Sequence, residues 1–409
     1  MLAIATRSAA LFCVLLSVLF SGLPSAYALI VDVDGKPFSS VELKPPAPKV
    51  AGQCESLFKP GSSTRALQTF DHSVREFPAA AKVTEETPLP NIIIADQIGI
   101  YSPSDVAKAA ADTNISKELR ATYEKMMARG PERFVVKPRS LDVLNPLYET
   151  FPNFKHVLDY VKKSLALAIA SSQPTYFPPI ILLGDPGIGK THFANALAEA
   201  LGTGFDLVPM NSMTAGWVLS GASSQWKDAR MGKVAKALIE GETANPIFVL
   251  DEIDKASGAE NYNPLGSLYT LWERKTAKMH KDEFLEIPVD TSFVIWVATA
   301  NYVEAINEAI LSRATVFKVE KPTVAQMHFV VANIMKQALA EFPKLKFSNR
   351  ISEEVFQKLA KFTPRDARKL VNDGIGNAVL NNRRELESND INPEILKAAN
   401  AKNGIGFTQ

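Results

Sequence analysis

The apolar run Pro179-Ile-Ile-Leu-Leu183 leads directly into Gly184-Asp-Pro-Gly-Ile-Gly-Lys-Thr-His192, and then into the helix-forming stretch Phe193-Ala-Asn-Ala-Leu-Ala-Glu-Ala-Leu201. A strand that turns at once into a helix needs glycines, because they supply backbone angles that a β-carbon forbids. A purely structural turn has no need of a Lys-Thr pair. Gly184, Gly189, Lys190 and Thr191 match G-x-x-x-x-G-K-[ST], between a strand and a helix as the mechanism of that motif requires. The loop Gly184, Asp185, Pro186, Gly187, Ile188, Gly189 and on to His192 would form an anion nest at the positive end of a helix, built from the backbone N–H groups of every residue but Pro186, which has none. Lys190 would reach the β- and γ-phosphates of a nucleotide, and the Thr191 hydroxyl would ligate Mg²⁺.

Two further apolar runs end in polar side chains. Ile247-Phe-Val-Leu250 delivers Asp251 and Glu252 to the carboxyl edge of a sheet, where ligands bind in open α/β folds. There Asp251 suits the metal's water shell and Glu252 suits polarising a water for attack on the γ-phosphate. Phe293-Val-Ile-Trp-Val-Ala-Thr299-Ala-Asn301 ends in an amide that can orient that water. Arg313, closing Ala309-Ile-Leu-Ser312-Arg313, reads equally as an arginine finger for a neighbouring subunit or as a basic residue favoured by a helix C-terminus. Strand-like runs near residues 180, 205, 247 and 293 alternate with helical stretches, which predicts a parallel sheet with helices on both faces. Beyond Lys321-Pro322 the periodicity is purely helical, so a small all-helical lid domain is expected over 321–409 after a large α/β domain over 141–320.

Taken together, in this order and spacing, these elements resemble the AAA+ class of P-loop NTPases, and most of all the ATPase portion of Lon proteases. The stretches that carry the resemblance are GDPGIGKTHFANALAEAL, ANPIFVLDEIDKASG, YNPLGSLYTLWE, KDEFLEIPVD and FVIWVATANYVEAINEAILSRATVF. The resemblance implies ATP and Mg²⁺ as ligands, with Lys190 and Thr191 on phosphate and metal, Asp251 and Glu252 as the metal-binding and catalytic acids, Asn301 as first sensor and Arg313 as the finger. It also implies a second sensor arginine in the lid; Thr363-Pro-Arg365-Asp-Ala-Arg368-Lys-Leu370 offers Arg368 on a Lon-like alignment and Arg365 on a RuvB-like one. Counting back from Gly232 places Trp226 at the family's aromatic pore-loop position, where an indole would grip extended polypeptide by packing. The resemblance implies a ring-forming homo-oligomer, hexameric in the family, that acts on protein substrates. Lon proteases continue into a Ser-Lys peptidase domain, and with the sequence ending at Gln409 proteolysis is not expected. A nucleic-acid motor or loader and a nucleotide-gated binding scaffold are the alternatives.

Composition narrows the partners. Lys+Arg 45 against Asp+Glu 44 leaves a net charge of +1, no bulk field for nucleic acid or an anionic membrane. The two cysteines, Cys13 and Cys54, build no disulfide framework, and the five histidines are scattered without metal-site spacing. Residues 1–28, with Arg7 as sole charge, an apolar run and the ending Ser25-Ala-Tyr-Ala28, read as a signal peptide cleaved after Ala28. An uncleaved membrane anchor and a misplaced start codon are the other readings. Export and an ATP requirement conflict, because ATP points to the cytoplasmic side. Residues 29–140 are linker-like at first, then helical over 104–130, with no legible role.

Overall fold

A computed structural model describes residues 94–171, 173–213, 215–256 and 263–396. The leader or anchor, both cysteines and the linker-like stretch up to residue 93 lie outside these residues. Among the described residues, no helix is long and apolar enough to cross a membrane.

Chain order opens with a β-α-α-β unit: β1 (Ile94–Gly99), α1 (Pro103–Ala110), α2 (Lys117–Arg129) and β2 (Glu132–Lys137), the two strands antiparallel. The stretch expected to be helical over 104–130 divides into two helices. Asp112 Oδ1 accepts the Asn114 N–H at 2.8 Å in a local turn, and Ser116 Oγ then caps α2 by accepting the Leu119 N–H at 3.1 Å. Such local side-chain bonds compete with helix continuation and restart it.

The α/β body follows: α3 (Lys155–Ser171), β3 (Ile180–Leu183), α4 (Lys190–Leu201), β4 (Phe205–Pro209), α5 (Lys233–Glu240), β5 (Ile247–Asp251), the hairpin β6 (His280–Lys281) and β7 (Pro288–Val289), β8 (Ile295–Ala300) and β9 (Thr315–Lys318). Five strands form one parallel sheet in the order β4-β5-β8-β3-β9. The inner strands β3, β5 and β8 read as nearly unbroken apolar runs because both faces are covered, whereas the edge strands β4 and β9 carry polar residues and stay partly exposed. Their side chains divide with period two: Ile181, Phe248, Leu250, Trp296 and Ala298 join one core, while Ile180, Leu182, Val249, Ile295 and Val297 join the other.

The second of these cores is covered by α3 and α4. The first holds α5 together with Ile100, Val106, Tyr123, Met126 and Val135 of the β-α-α-β unit, so residues of unreadable role pack into the same core as the sheet. Helices α6 (Val324–Ala340), α7 (Glu353–Leu359) and α8 (Pro364–Leu380) bury a separate core of Met327, Val331, Phe356, Leu370 and Val371.

The strand order positions the site. β8 lies between β3 and β5, with Leu182 opposite Thr299 and Leu250 opposite Ala298. The end of β8 is therefore delivered between the turn that follows β3 and the acids that end β5.

Candidate nucleotide site

The turn after β3 closes tightly. A β-carbon at Gly184 would meet Val319 O at 2.2 Å, and Gly187 and Gly189 hold φ of +83° and +103°, a region that side chains disfavour. The lid touches this turn directly: the Arg365 N–H donates to Gly187 O at 3.2 Å, at the start of α8, which Thr363 Oγ1 caps.

Lys190 is only 8% exposed. Its Nζ donates to Gly184 O at 2.7 Å, Asp185 O at 2.9 Å and Asn301 Oδ1 at 2.9 Å. Among the described residues it forms no ion pair. Burial holds its pKa below the ordinary lysine value, opposed by the nearby charges of Asp254 and Asp251. A buried ammonium without a carboxylate partner, facing a cleft, is a site for an anion.

Beside it, Asp251 Oδ1 accepts the hydroxyls of Thr191 and Thr299, each at 2.7 Å. Glu252 has φ of +58°, unusual for a residue with a side chain, and its N–H donates to Thr299 Oγ1 at 2.9 Å. Strain of this kind persists where neighbouring contacts hold it, and it turns Glu252 away from the direction the strand would have given it. Lys255 Nζ donates to Glu252 Oε1 at 2.5 Å and Asn211 Nδ2 to Oε2 at 2.7 Å. The Lys255 bond is the main reason that the Glu252 carboxyl titrates below the usual carboxylate range, so it is ionised at neutral pH. Asp254 Oδ2 accepts the backbone N–H groups of Asn301 at 3.0 Å and Tyr302 at 3.1 Å, fixing the turn that aims the Asn301 amide.

Lys190, Thr191, Asp251, Glu252, Thr299 and Asn301 line one cleft of about 260 Å³, closed on its other side by Thr150, Phe151 and Asn153 and by Ile334, Gln337, Arg365 and Arg368 of the lid. Both candidate lid arginines thus reach it. The charge of Arg365 is felt at Lys190 and Glu252. Arg368 is held by Gln337 Oε1 at 3.1 Å and Glu341 Oε1 at 2.9 Å, and its charge is felt at His192. His192 packs its ring 5.2 Å from that of Phe151, and burial lowers its pKa.

The nucleotide-facing residues from Gly187 to His192, with Asp251, Glu252 and Asn301, are brought together. Arg313 is not among the cleft residues: its Nη1 donates to Ala309 O at 2.6 Å and its guanidinium lies 5.5 Å from the Tyr269 ring centre. Trp226 is also remote from the cleft, 54% exposed, and borders a second cavity of about 910 Å³ with Trp217 and Met279. Asn211, Phe151 and Gln337 were missed in the sequence. Asn211 had one usable signal, a carboxamide just past the end of β4, at the edge where the acids of β5 emerge.

Residues 180–321 match the model of the ATPase family associated with various cellular activities (AAA). The Lon protease of Mycoplasma mycoides subsp. mycoides SC is 29% identical over 231 residues, 56% of this chain and 29% of the relative. That of Mycoplasma genitalium is 27% identical over 301 residues, 71% of this chain and 37% of the relative. The chain thus spans about a third of the length of these relatives. A solved structure described as a closed-state cryo-EM reconstruction of Hsp104 with ATPγS and FITC casein covers 60% of the chain, at 16% identity and a TM-score of 0.47. The AAA description implies nucleotide binding and ATP hydrolysis, and the cleft is built from the residues that such chemistry uses. The chain carries a AAA+ ATPase module of the Lon-like kind.

Proposed function

We propose that the protein is an ATP-driven motor that works as a homo-oligomeric, hexameric ring and remodels or unfolds protein substrates. The observation that carries the nucleotide part is the buried Lys190 ammonium, which has no ion-pair partner among the described residues beside the Thr191–Asp251 pair. Backbone amides of the turn and Lys190 would hold the β- and γ-phosphates of ATP. Thr191 and Asp251 fit Mg²⁺, being two oxygen ligands already oriented toward each other; when bound, the ion neutralises charge on the phosphate oxygens.

Glu252 accepts a proton from the attacking water as that water's oxygen bonds to the γ-phosphorus and the bond to the β-phosphate oxygen breaks. For this, the carboxylate must exchange its bond from Lys255 or Asn211 for the water. Asn301, whose Oδ1 now accepts from Lys190, would orient the attacking water beside the γ-phosphate. Arg313, lying outside the cleft of its own chain, would act on the cleft of an adjacent subunit, which is the support for a ring. Arg365 and Arg368 would couple nucleotide state to the lid; loss of turnover in Arg365→Ala but not Arg368→Ala, or the reverse, separates their roles.

The exposed indole of Trp226 supports contact with polypeptide. An ATP requirement supports the cytoplasmic side of any membrane, against the export that a signal peptide implies, and sequencing the mature amino terminus distinguishes cleavage after Ala28 from retention. The functional test is phosphate release by the full chain with and without α-casein or DNA. Stimulation by casein and not by DNA is expected; stimulation by DNA alone would replace the protein-remodelling reading with a nucleic-acid motor.

A further inference from the structure

Asp282 is 0% exposed, yet it belongs to no part of the nucleotide cleft. It follows β6 in the β6–β7 hairpin, and its two oxygens bind different things. Oδ1 accepts the N–H groups of Phe284 at 3.0 Å and Leu285 at 3.2 Å within the hairpin. Oδ2 accepts the Gly232 N–H at 2.8 Å from the segment that carries Trp226.

That segment is a loop pinched at its neck. A β-carbon at Gly232 would lie 2.4 Å from Gly221 N, and one at Gly221, where φ is +88°, would lie 2.3 Å from Asp282 Oδ1. The Ala222 N–H donates to Arg230 O at 3.1 Å just above the neck, and the Glu283 N–H donates to Ser220 O at 2.8 Å just below it. Ser224 reaches across to bond Glu286. One end of the loop is therefore bonded to the carboxylate through Gly232, the other passes close against it at Gly221, and Trp226 stands on the loop.

The supports of this arrangement are held by the β-α-α-β unit. Tyr123 Oη donates to Leu285 O at 2.5 Å, and the Asp290 N–H donates to Ile100 O at 2.7 Å, tying down the hairpin. Arg133 donates to Leu238 O and Ile239 O, each at 2.7 Å, at the end of α5, the helix that Gly232 opens.

A buried carboxylate is costly, and burial pushes the Asp282 carboxyl up to about 6 against the pull of its backbone donors. Its chemistry explains the choice of residue. A carboxylate accepts at both oxygens, so it can take N–H groups from the loop and from the hairpin at once. Asparagine would aim an NH₂ at one of those donors.

We infer that Asp282 is a positioning residue that sets the Trp226 loop for contact with polypeptide, and that the β-α-α-β unit of residues 94–137 is the brace for the hairpin that carries it. The inference rests on the reading of Trp226 as the polypeptide grip. The test uses the full chain with Asp282→Asn, Tyr123→Phe and Trp226→Ala, read by basal ATPase, casein-stimulated ATPase and backbone hydrogen exchange. In Asp282→Asn, exchange across residues 221–232 should accelerate about tenfold, the protection that one bond to an ionised acceptor gives, while residues 190–201 stay unchanged. Half-maximal stimulation should need about fivefold more casein, with basal turnover kept within about twofold. Tyr123→Phe, which keeps the ring in its buried place, should move exchange in the same direction by less. Unchanged exchange across 221–232 in both variants, or equal loss of basal and stimulated turnover, would overturn the inference. If Trp226→Ala leaves casein stimulation intact, the grip reading fails on its own, and the exchange result still decides whether Asp282 anchors the loop.

Discussion

Lys190 and Asp282, two of the charged side chains buried among the described residues, are buried in opposite ways. Lys190 is a cation wrapped by backbone carbonyls and an amide, with a cleft open beside it. Asp282 is an anion wrapped by three backbone N–H groups, with no such opening. Both rest on glycines at positive φ, Gly187 and Gly189 in one case and Gly221 in the other. The difference lies in what remains unsatisfied. Lys190 keeps charge available for a ligand, whereas Asp282 uses both of its oxygens to hold chain to chain. The first arrangement suits chemistry and the second suits position.

If that contrast holds, substitutions around the two charges should separate turnover from architecture. The largest effect is expected at Glu252→Gln, which keeps the shape of the cleft and removes the base: phosphate release should fall about 10²- to 10⁴-fold while ATP is still bound and the melting temperature stays near wild type. Comparable release rates in the variant and the wild type would break the catalytic half of the contrast. Gly221→Ala should do the reverse. Its β-carbon meets the Asp282 carboxylate at 2.3 Å in a backbone conformation that alanine disfavours, so unfolding stability should drop by about 1–3 kcal/mol, read from urea midpoints, with nucleotide affinity retained.

The smallest effect is a pH slope. Because the folded state raises the Asp282 pKa to about 6, it binds a proton there that the unfolded chain has released, so this group's stabilisation is present at low pH and is lost as pH rises through about 6. Glu283 is the charged neighbour that adds to the shift, and His280, lowered to about 4, is neutral in that window. Between pH 5 and 7 the wild type should lose about 1–2 kcal/mol relative to Asp282→Asn in the same urea titrations. Parallel pH curves would mean that Asp282 does not titrate as a buried group.

The two regions also differ in how readable they are. Lys190, Thr191, Asp251, Glu252 and Asn301 each stand at the end of an apolar run or within eight residues of it, so a one-dimensional pattern of run and polar ending locates them, and the parallel sheet then places those endings at one edge. Asp282 carries no such mark. Its defining partner, Gly232, lies 50 residues away, and its burial depends on the hairpin packing against the Trp226 loop. Asn211 and Gln337 are hidden for the same reason, since each gains meaning only from a partner distant in sequence, Glu252 and Arg368. The β-α-α-β unit was legible as helix but not as a part of the sheet's own core, because its apolar residues are spread thinly between charged ones and complete a surface that other elements begin.

The central claim is that the Lys190 ammonium, which forms no ion pair among the described residues, is the seat of a nucleotide's phosphates. Calorimetric titration of ATP with Mg²⁺ into the full chain, beside Lys190→Ala, tests it most directly. Saturable heat in the wild type and none in the variant is the predicted result; no heat in either, or the same isotherm in both, would contradict it.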